Sequence, residues 1–279
     1  MPKLLFKPAP ILWLIVQLTF GANAKSQIPA DSLNQWVSAH LKSASDTTRL
    51  YLKAHQALRA SQETGDPNAL NTARRNLSIY HEYYGQVDSS IYFMEKIRDF
   101  YLDTKDTIAL AETYLELNIL FGSKADYAEA AKQVYAALDL YEKTGNRRGI
   151  ANCYVDLCDL LYYENKYQES VDYCDKAIAI QKKINAKEDL AKSLRYKASS
   201  QLFSGVDLEE ALATINEAIQ LYENMEGKEI ELMASINGRG NILKYMERYD
   251  EAIADYKYNY EKCIELGFKP YLIPTLGNI

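Results

Sequence analysis

The sequence predicts an all-α protein, a right-handed α-α superhelix (solenoid) of antiparallel helix hairpins. Three observations lead there. Apolar residues recur at helical spacing through most of the 279 residues, as expected for helices with one buried face. A short motif built around a small residue returns every 40 or 41 positions. Glycine and proline number only 12 and 7, well under the usual share, whereas a sandwich or barrel needs a turn every 8–12 residues or so.

The chain opens on a segment of another kind. Residues 1–8 hold Lys3 and Lys7 and no acid, residues 9–20 are almost wholly apolar, and Gly21-Ala22-Asn23-Ala24 ends in an A-x-A arrangement. This order predicts a secretory signal peptide over 1–24, cut between Ala24 and Lys25. The apolar run falls short of the roughly 20 residues that span hydrocarbon, which disfavours a membrane anchor. The expected location is periplasmic or otherwise extracytoplasmic. Loss of Lys3 and Lys7 makes the formal charge of −6 more negative by two, which leaves no electrostatic basis for nucleic-acid binding. No later stretch is apolar for long enough to cross a bilayer.

The repeat is carried by Lys124-Ala125-Asp126-Tyr127-Ala128-Glu129-Ala130, Asn165-Lys166-Tyr167-Gln168-Glu169-Ser170, Val206-Asp207-Leu208-Glu209-Glu210-Ala211 and Glu247-Arg248-Tyr249-Asp250-Glu251-Ala252. Ser90 and, more faintly, Leu50 continue the series towards the N-terminus. Ala137, Ala177 and Ala218 lie seven residues on, close to the same helix face. Twelve residues before each small residue come Ser78, Asn118, Cys158, Ser199 and Gly240. Small side chains in both sets let two helices approach closely, so they mark the seam within each hairpin. Leu117, Phe121, Val134 and Leu138 flank one seam, and Leu157, Leu161, Cys174 and Ile178 the next.

Turn signals such as Gly65-Asp66-Pro67, Gly85, Gly145 and Gly227 separate these stretches. They place helices near 31–43, 46–63, 67–84, 88–104, 107–122, 126–143, 147–164, 168–184, 187–204, 208–225, 228–246 and 250–266. Helices of this length are marginal alone, and stacking hairpin on hairpin supplies the missing burial. The domain reading is a signal peptide over 1–24, capping helices or a degenerate repeat over 25–66, the repeat array over 67–266, and the start of a further repeat over 267–279. Leu276-Gly277-Asn278-Ile279 echoes Arg239-Gly240-Asn241-Ile242, which favours the front part of a longer protein.

The pattern resembles the tetratricopeptide repeat family, in its forty-residue variety. Its signature stands in Gly240, Leu243 and Tyr249-Asp250-Glu251-Ala252, and the stretch 144–151 is similar to the connector of the longer repeat. The chain lacks the family's initial tryptophan and closing proline, where Glu142, Lys182 and Glu223 stand. The resemblance implies a concave surface lined by fixed positions of each first helix. Here it would hold Arg75, Asn152, Asp159, Tyr162, Tyr163, Tyr196, Phe203, Asn237, Asn241, Lys244 and Tyr245. Tyrosine offers large contact area at little entropic cost, and asparagine amides can hold an extended peptide backbone. Tyr114, Tyr141, Tyr154 and Tyr222 read instead as packing between layers. The lysine–asparagine–arginine clamp by which some relatives grip a carboxylate terminus does not line up.

Enzyme signals are absent from the sequence. His40, His55 and His81 have no metal spacing, Gly238-Arg239-Gly240 lacks a third glycine, and no nucleophile or phosphate-binding motif occurs. No cofactor or metal is expected. Cys158 and Cys174 would lie on partnered helices, so one bridge is conceivable; four cysteines in this length read more readily as small buried thiols. Asn76-Leu77-Ser78 fits a glycosylation pattern, but Ser78 falls on a seam. The first functional expectation is a non-catalytic module that binds a protein or peptide, as the exported sensing part of a signal-transduction protein with a histidine kinase or helix-turn-helix output. The alternatives are a free-standing periplasmic scaffold, or an accessory subunit of an envelope complex.

Overall fold

The computed structural model describes residues 29–41 and 47–267. The expected signal peptide with its cut at Ala24 and Lys25, and the repeat onset at 276–279, lie outside them. Among the described residues there are twelve helices and no strand: α1 Ala30–His40, α2 Thr47–Thr64, α3 Pro67–Tyr83, α4 Val87–Thr104, α5 Thr107–Ser123, α6 Tyr127–Thr144, α7 Arg147–Tyr163, α8 Tyr167–Lys183, α9 Lys187–Ser204, α10 Leu208–Glu223, α11 Glu229–Tyr245 and α12 Tyr249–Glu265. They fall into two compact units, one through Tyr83 and one from Tyr84.

In the first unit α1 packs on both α2 and α3. Leu33, Val37, Leu50, Ala54, Ala57, Ala73 and Leu77 are buried there. Asn34 Nδ2 donates to Ala69 O at 2.9 Å, Asn76 Nδ2 to Asn34 O at 3.1 Å, and Ser38 Oγ to Asn76 Oδ1 at 2.8 Å. These bonds consume a buried Asn76, so the glycosylation pattern at 76–78 is part of the packing. Tyr51, His55, Tyr80 and His81 form an aromatic cluster between α2 and α3.

In the second unit every helix packs against its neighbours in sequence, and α9 also meets both α7 and α11. The hairpins α7–α8, α9–α10 and α11–α12 therefore stack with these first helices side by side in one layer, and α5–α6 joins them through the packing of α6 on α7. The seam alanines Ala130, Ala137, Ala177, Ala211 and Ala218 are fully buried, as are Ser90 and Ser170. Tyr141 and Tyr222 are buried between layers as expected. Helix starts carry local signals: the side chains of Asp106, Asp126 and Asn146 accept from Ala109, Glu129 and Gly149 N–H. Gly145 closes α6 in the left-handed region, at φ 68°.

Two expectations need correction. In α9 the seam residue is Ala198, not Ser199. Ala198 is fully buried, while Ser199 is half-buried and donates to Arg195 O at 3.1 Å. The first helices begin at 107, 147 and 187, forty apart, whereas the second helices begin at 127, 167 and 208. The extra residue therefore falls after the seam of α9, around Gly205, and not before it. The second correction concerns cysteine. Cys158 and Cys174 are joined by a disulfide across the α7–α8 seam, their Cα atoms 5.5 Å apart, while Cys153 and Cys263 are free and buried. Spacing along the chain shows two small residues at a seam, but not that their Cβ atoms meet.

Candidate functional site

The face of the second unit carries a run of aromatic rings where hairpins turn. Tyr163, Phe203 and Tyr245 close or nearly close α7, α9 and α11, each five residues after the seam residues Cys158, Ala198 and Gly240. Tyr127 and Tyr167 open α6 and α8. Tyr127 stacks on Tyr163 at 5.7 Å, and Tyr163 meets Tyr162 at 5.6 Å. Tyr162 contacts Tyr167 at 5.7 Å, Tyr167 contacts Phe203 at 5.2 Å, and Phe203 meets Tyr245 edge-on at 5.5 Å. Six rings thus form one continuous row over four hairpins. Tyr163, Phe203 and Tyr245 remain 54%, 38% and 57% exposed. Rings held by each other yet open to water present a rigid contact surface.

Beside the row, α7 and α9 bring charge together. Asp156 and Asp159 stand one turn apart on α7; Lys192, Arg195 and Tyr196 stand on α9. Arg195 Cζ lies 4.7 Å and Lys192 Nζ 5.7 Å from the Tyr196 ring centroid, so both cations rest on that ring. Arg195 Nε is buried without a hydrogen-bond partner. Burial pushes the Asp156 carboxyl up to about 6 against the pull of Lys192, and Asp159 adds to the rise. Burial likewise raises Asp159, opposed by Lys192 and Arg195. The Tyr163 hydroxyl is raised first by the neighbouring Asp159 and then by burial. Adjacent hairpins are tied at their rims by Arg148 Nε to Asp189 Oδ2 at 2.8 Å and by Lys228 to Glu188.

The structure gathers Asp159, Tyr162, Tyr163, Tyr196, Phe203 and Tyr245 into this region, with Asn152 half-buried on α7 and Lys244 exposed on α11. Arg75 is on α3 of the first unit. Asn237 is half-buried on α11. Asn241 has a different task from the one its spacing suggested: its Oδ1 accepts from Tyr256 Oη at 2.8 Å, which pins a seam ring. Sequence reasoning missed Tyr127, Tyr167, Asp156, Lys192 and Arg195. The two tyrosines stood in the repeat motif itself, and the Ala198 register would have aligned Lys192 and Arg195 with Asn152 and Val155. The one signal for Asp156 is Glu116, a carboxylate at the same place forty residues earlier. Among the described residues no group of three His, Cys, Asp or Glu side chains could hold a metal.

No family model matches the sequence. A 151-residue stretch is 26% identical to a protein of Arabidopsis thaliana described as kinesin light chain-related 3, over 51% of this chain and 23% of that one. A signal-transduction ATPase with a tetratricopeptide repeat sensor, from Pyrococcus horikoshii, superposes with a TM-score of 0.71 at 13% identity, over 88% of this chain and 38% of that one. The chain has the tetratricopeptide repeat fold. NprR in complex with its cognate peptide NprX shares that fold, with a TM-score of 0.65 at 12% identity over 95% of this chain and 76% of NprR. The chain thus spans under a quarter of the plant protein and well under half of the sensor ATPase.

Proposed function

We propose that this protein is a non-catalytic tetratricopeptide repeat module that binds an extended peptide segment of a partner, and that it serves outside the cytoplasm as the sensing part of a signal-transduction protein. The observation that carries the binding reading is the continuous aromatic row from Tyr127 to Tyr245 with the Asp159–Arg195 cluster at its side. Repeat-related rings at regular intervals suit a ligand that is itself periodic, and an extended peptide offers a side chain to the same face every second residue. NprR is described with a bound cognate peptide and the ATPase with a sensor of this fold, which supports the reading by analogy. The extracytoplasmic location rests on the charge and hydropathy order of residues 1–24.

The test is selection of a random peptide display library on the immobilised chain, followed by titration of the enriched peptides. Tyr163→Ala and Phe203→Ala each remove an exposed ring and should weaken the selected peptides at least about tenfold while leaving helicity unchanged, as expected for rings at the centre of an interface. Tyr162→Ala and Tyr196→Ala test the half-buried rings, where loss of helicity would assign them to packing. Enrichment that is indifferent to all four substitutions would remove the row from the binding surface. Cell fractionation of the full chain tests the location separately.

A further inference from the structure

We infer that the hairpin carrying the binding face is locked covalently as it folds, so that the face matures by oxidation of Cys158 and Cys174. The disulfide joins α7 to α8 between residues 16 apart. Asp156, Asp159, Tyr162 and Tyr163 lie within five residues of Cys158 on α7, and Tyr167 opens α8. The other hairpins show what else fits these two places. They hold Asn118 with Val134 in α5–α6, Ala198 with Ile215 in α9–α10, and Gly240 with Tyr256 in α11–α12. Ordinary packing therefore fills the equivalent seams, and the bridge belongs to the one hairpin on which the acid pair and three of the six rings stand.

Selectivity follows from the surroundings. Both bridged sulfurs are fully buried; Ser170 Oγ lies 3.3 Å from Cys158 Sγ and donates to Cys158 O at 2.6 Å. Once formed, such a bond is shielded from soluble reductants until the hairpin opens. Burial, aided by Asp156, pushes the Cys153 thiol up to about 12, which keeps it out of thiolate chemistry. The oxidant is a disulfide-bearing donor. One cysteine thiolate attacks a donor sulfur and forms a mixed disulfide; the second thiolate then displaces the donor. Two protein thiols lose two protons and two electrons to give one protein disulfide, and the donor leaves as a dithiol. Such donors prevail in oxidising compartments, which links this inference to the proposed location without using residues 1–24. It rests on the aromatic row being the binding face only for its functional consequence.

The full chain is recovered from an oxidising compartment, denatured in excess N-ethylmaleimide and weighed. Two added labels, on Cys153 and Cys263, are expected; four would overturn the lock. Hydrogen exchange then compares oxidised protein with protein refolded in reductant, where α7 and α8 amides should exchange about tenfold faster or more, with smaller changes in α11 and α12. The double variant Cys158→Ala, Cys174→Val places the side chains of Ala198 and Val134 in the same seam and separates the bond from its packing. It should exchange like the reduced chain, and protection equal to that of the oxidised chain would overturn the lock. Fractionation distinguishes the two failures: an exported chain with four thiols refutes the lock alone, and a bridged chain retained inside the cell refutes the location alone.

Discussion

Two glycines of α11, two residues apart, should respond to the same substitution with opposite signs. Gly238 and Gly240 both lie inside the helix, where alanine is favoured over glycine by about 1 kcal/mol. A Cβ at Gly238 would stand 3.5 Å from Ile215 Cδ1, an ordinary contact. A Cβ at Gly240 would stand 2.6 Å from Tyr256 Cε1 and 3.0 Å from Cζ. Tyr256 cannot swing aside, because its ring is buried in the α11–α12 seam and its hydroxyl is held by Asn241 at 2.8 Å.

Gly238→Ala should therefore gain about 0.5–1 kcal/mol. Gly240→Ala gains the same propensity but must displace the ring, at about 1–3 kcal/mol for overpacking and about 1 kcal/mol for the hydrogen bond, a net loss of about 1–3 kcal/mol. At about 2–4 °C per kcal/mol for a domain of this size, the first variant melts a few degrees above the parent and the second several degrees below it. Thermal denaturation followed by circular dichroism measures both. If both variants melt higher, Tyr256 is free to move and the close-approach account of the seam is wrong. Adding Tyr256→Phe to Gly240→Ala isolates the hydroxyl, since the phenylalanine has no bond to lose.

Ala211→Leu puts a larger side chain into the α9–α10 seam, where Ala211 is fully buried, and should cost about 1–3 kcal/mol with a lower melting temperature; an unchanged melt would place the residue facing water. Ala125 closes a turn at φ 58°, a region that penalises a Cβ, so Ala125→Gly should raise the melting temperature by one to a few degrees, about 0.5–1 kcal/mol, and a lower melt would deny the strain. His55 is lowered to about 4, first by burial and then by His81 and Arg59, and its Nε2 is buried without a partner. Its neutral form is the one that folds, so this contribution is full above about 6.5 and is lost as pH falls towards 4. With solvent screening discounted it is worth about 1–2 kcal/mol. Hydrogen exchange of α2 and α3 should accelerate between pH 7 and pH 4.5 in the parent and much less in His55→Phe.

Much of the fold could be read from residue sizes alone. A side chain the size of alanine at Ala130, Ala137, Ala177, Ala211 and Ala218 is needed wherever two helix backbones come close, and that need repeats with the structural unit. The same reasoning could not see the contacts that depend on orientation. Asn241 satisfies the spacing of a groove asparagine, yet a ring from the next helix claims its amide oxygen. Cys158 satisfies the size rule, and whether its sulfur meets another is decided by the direction of Cα–Cβ in the partner helix. Asp156 is placed in the charged cluster by its neighbours and not by a shared repeat position: Glu116 is its acidic equivalent in α5, but Tyr196 and Gly238 hold that place in α9 and α11.

The single extra residue in the α9–α10 hairpin shows how directly the candidate site depends on such detail. Each residue turns a helix by about 100°, so an insertion before the α9 seam would carry the following side chains to a different face. Phe203 would leave the row, and its contacts with Tyr167 at 5.2 Å and Tyr245 at 5.5 Å would be lost. Instead Ala191 and Ala198 hold α9 forty residues in register with Ala151 and Cys158, and the slack is taken up beyond the helix, where Gly205 adopts φ 86°. A left-handed residue costs glycine little, which makes the turn the place where added length does least harm to packing. Continuity of the aromatic row is thus a consequence of where the chain can lengthen without rotating its helices.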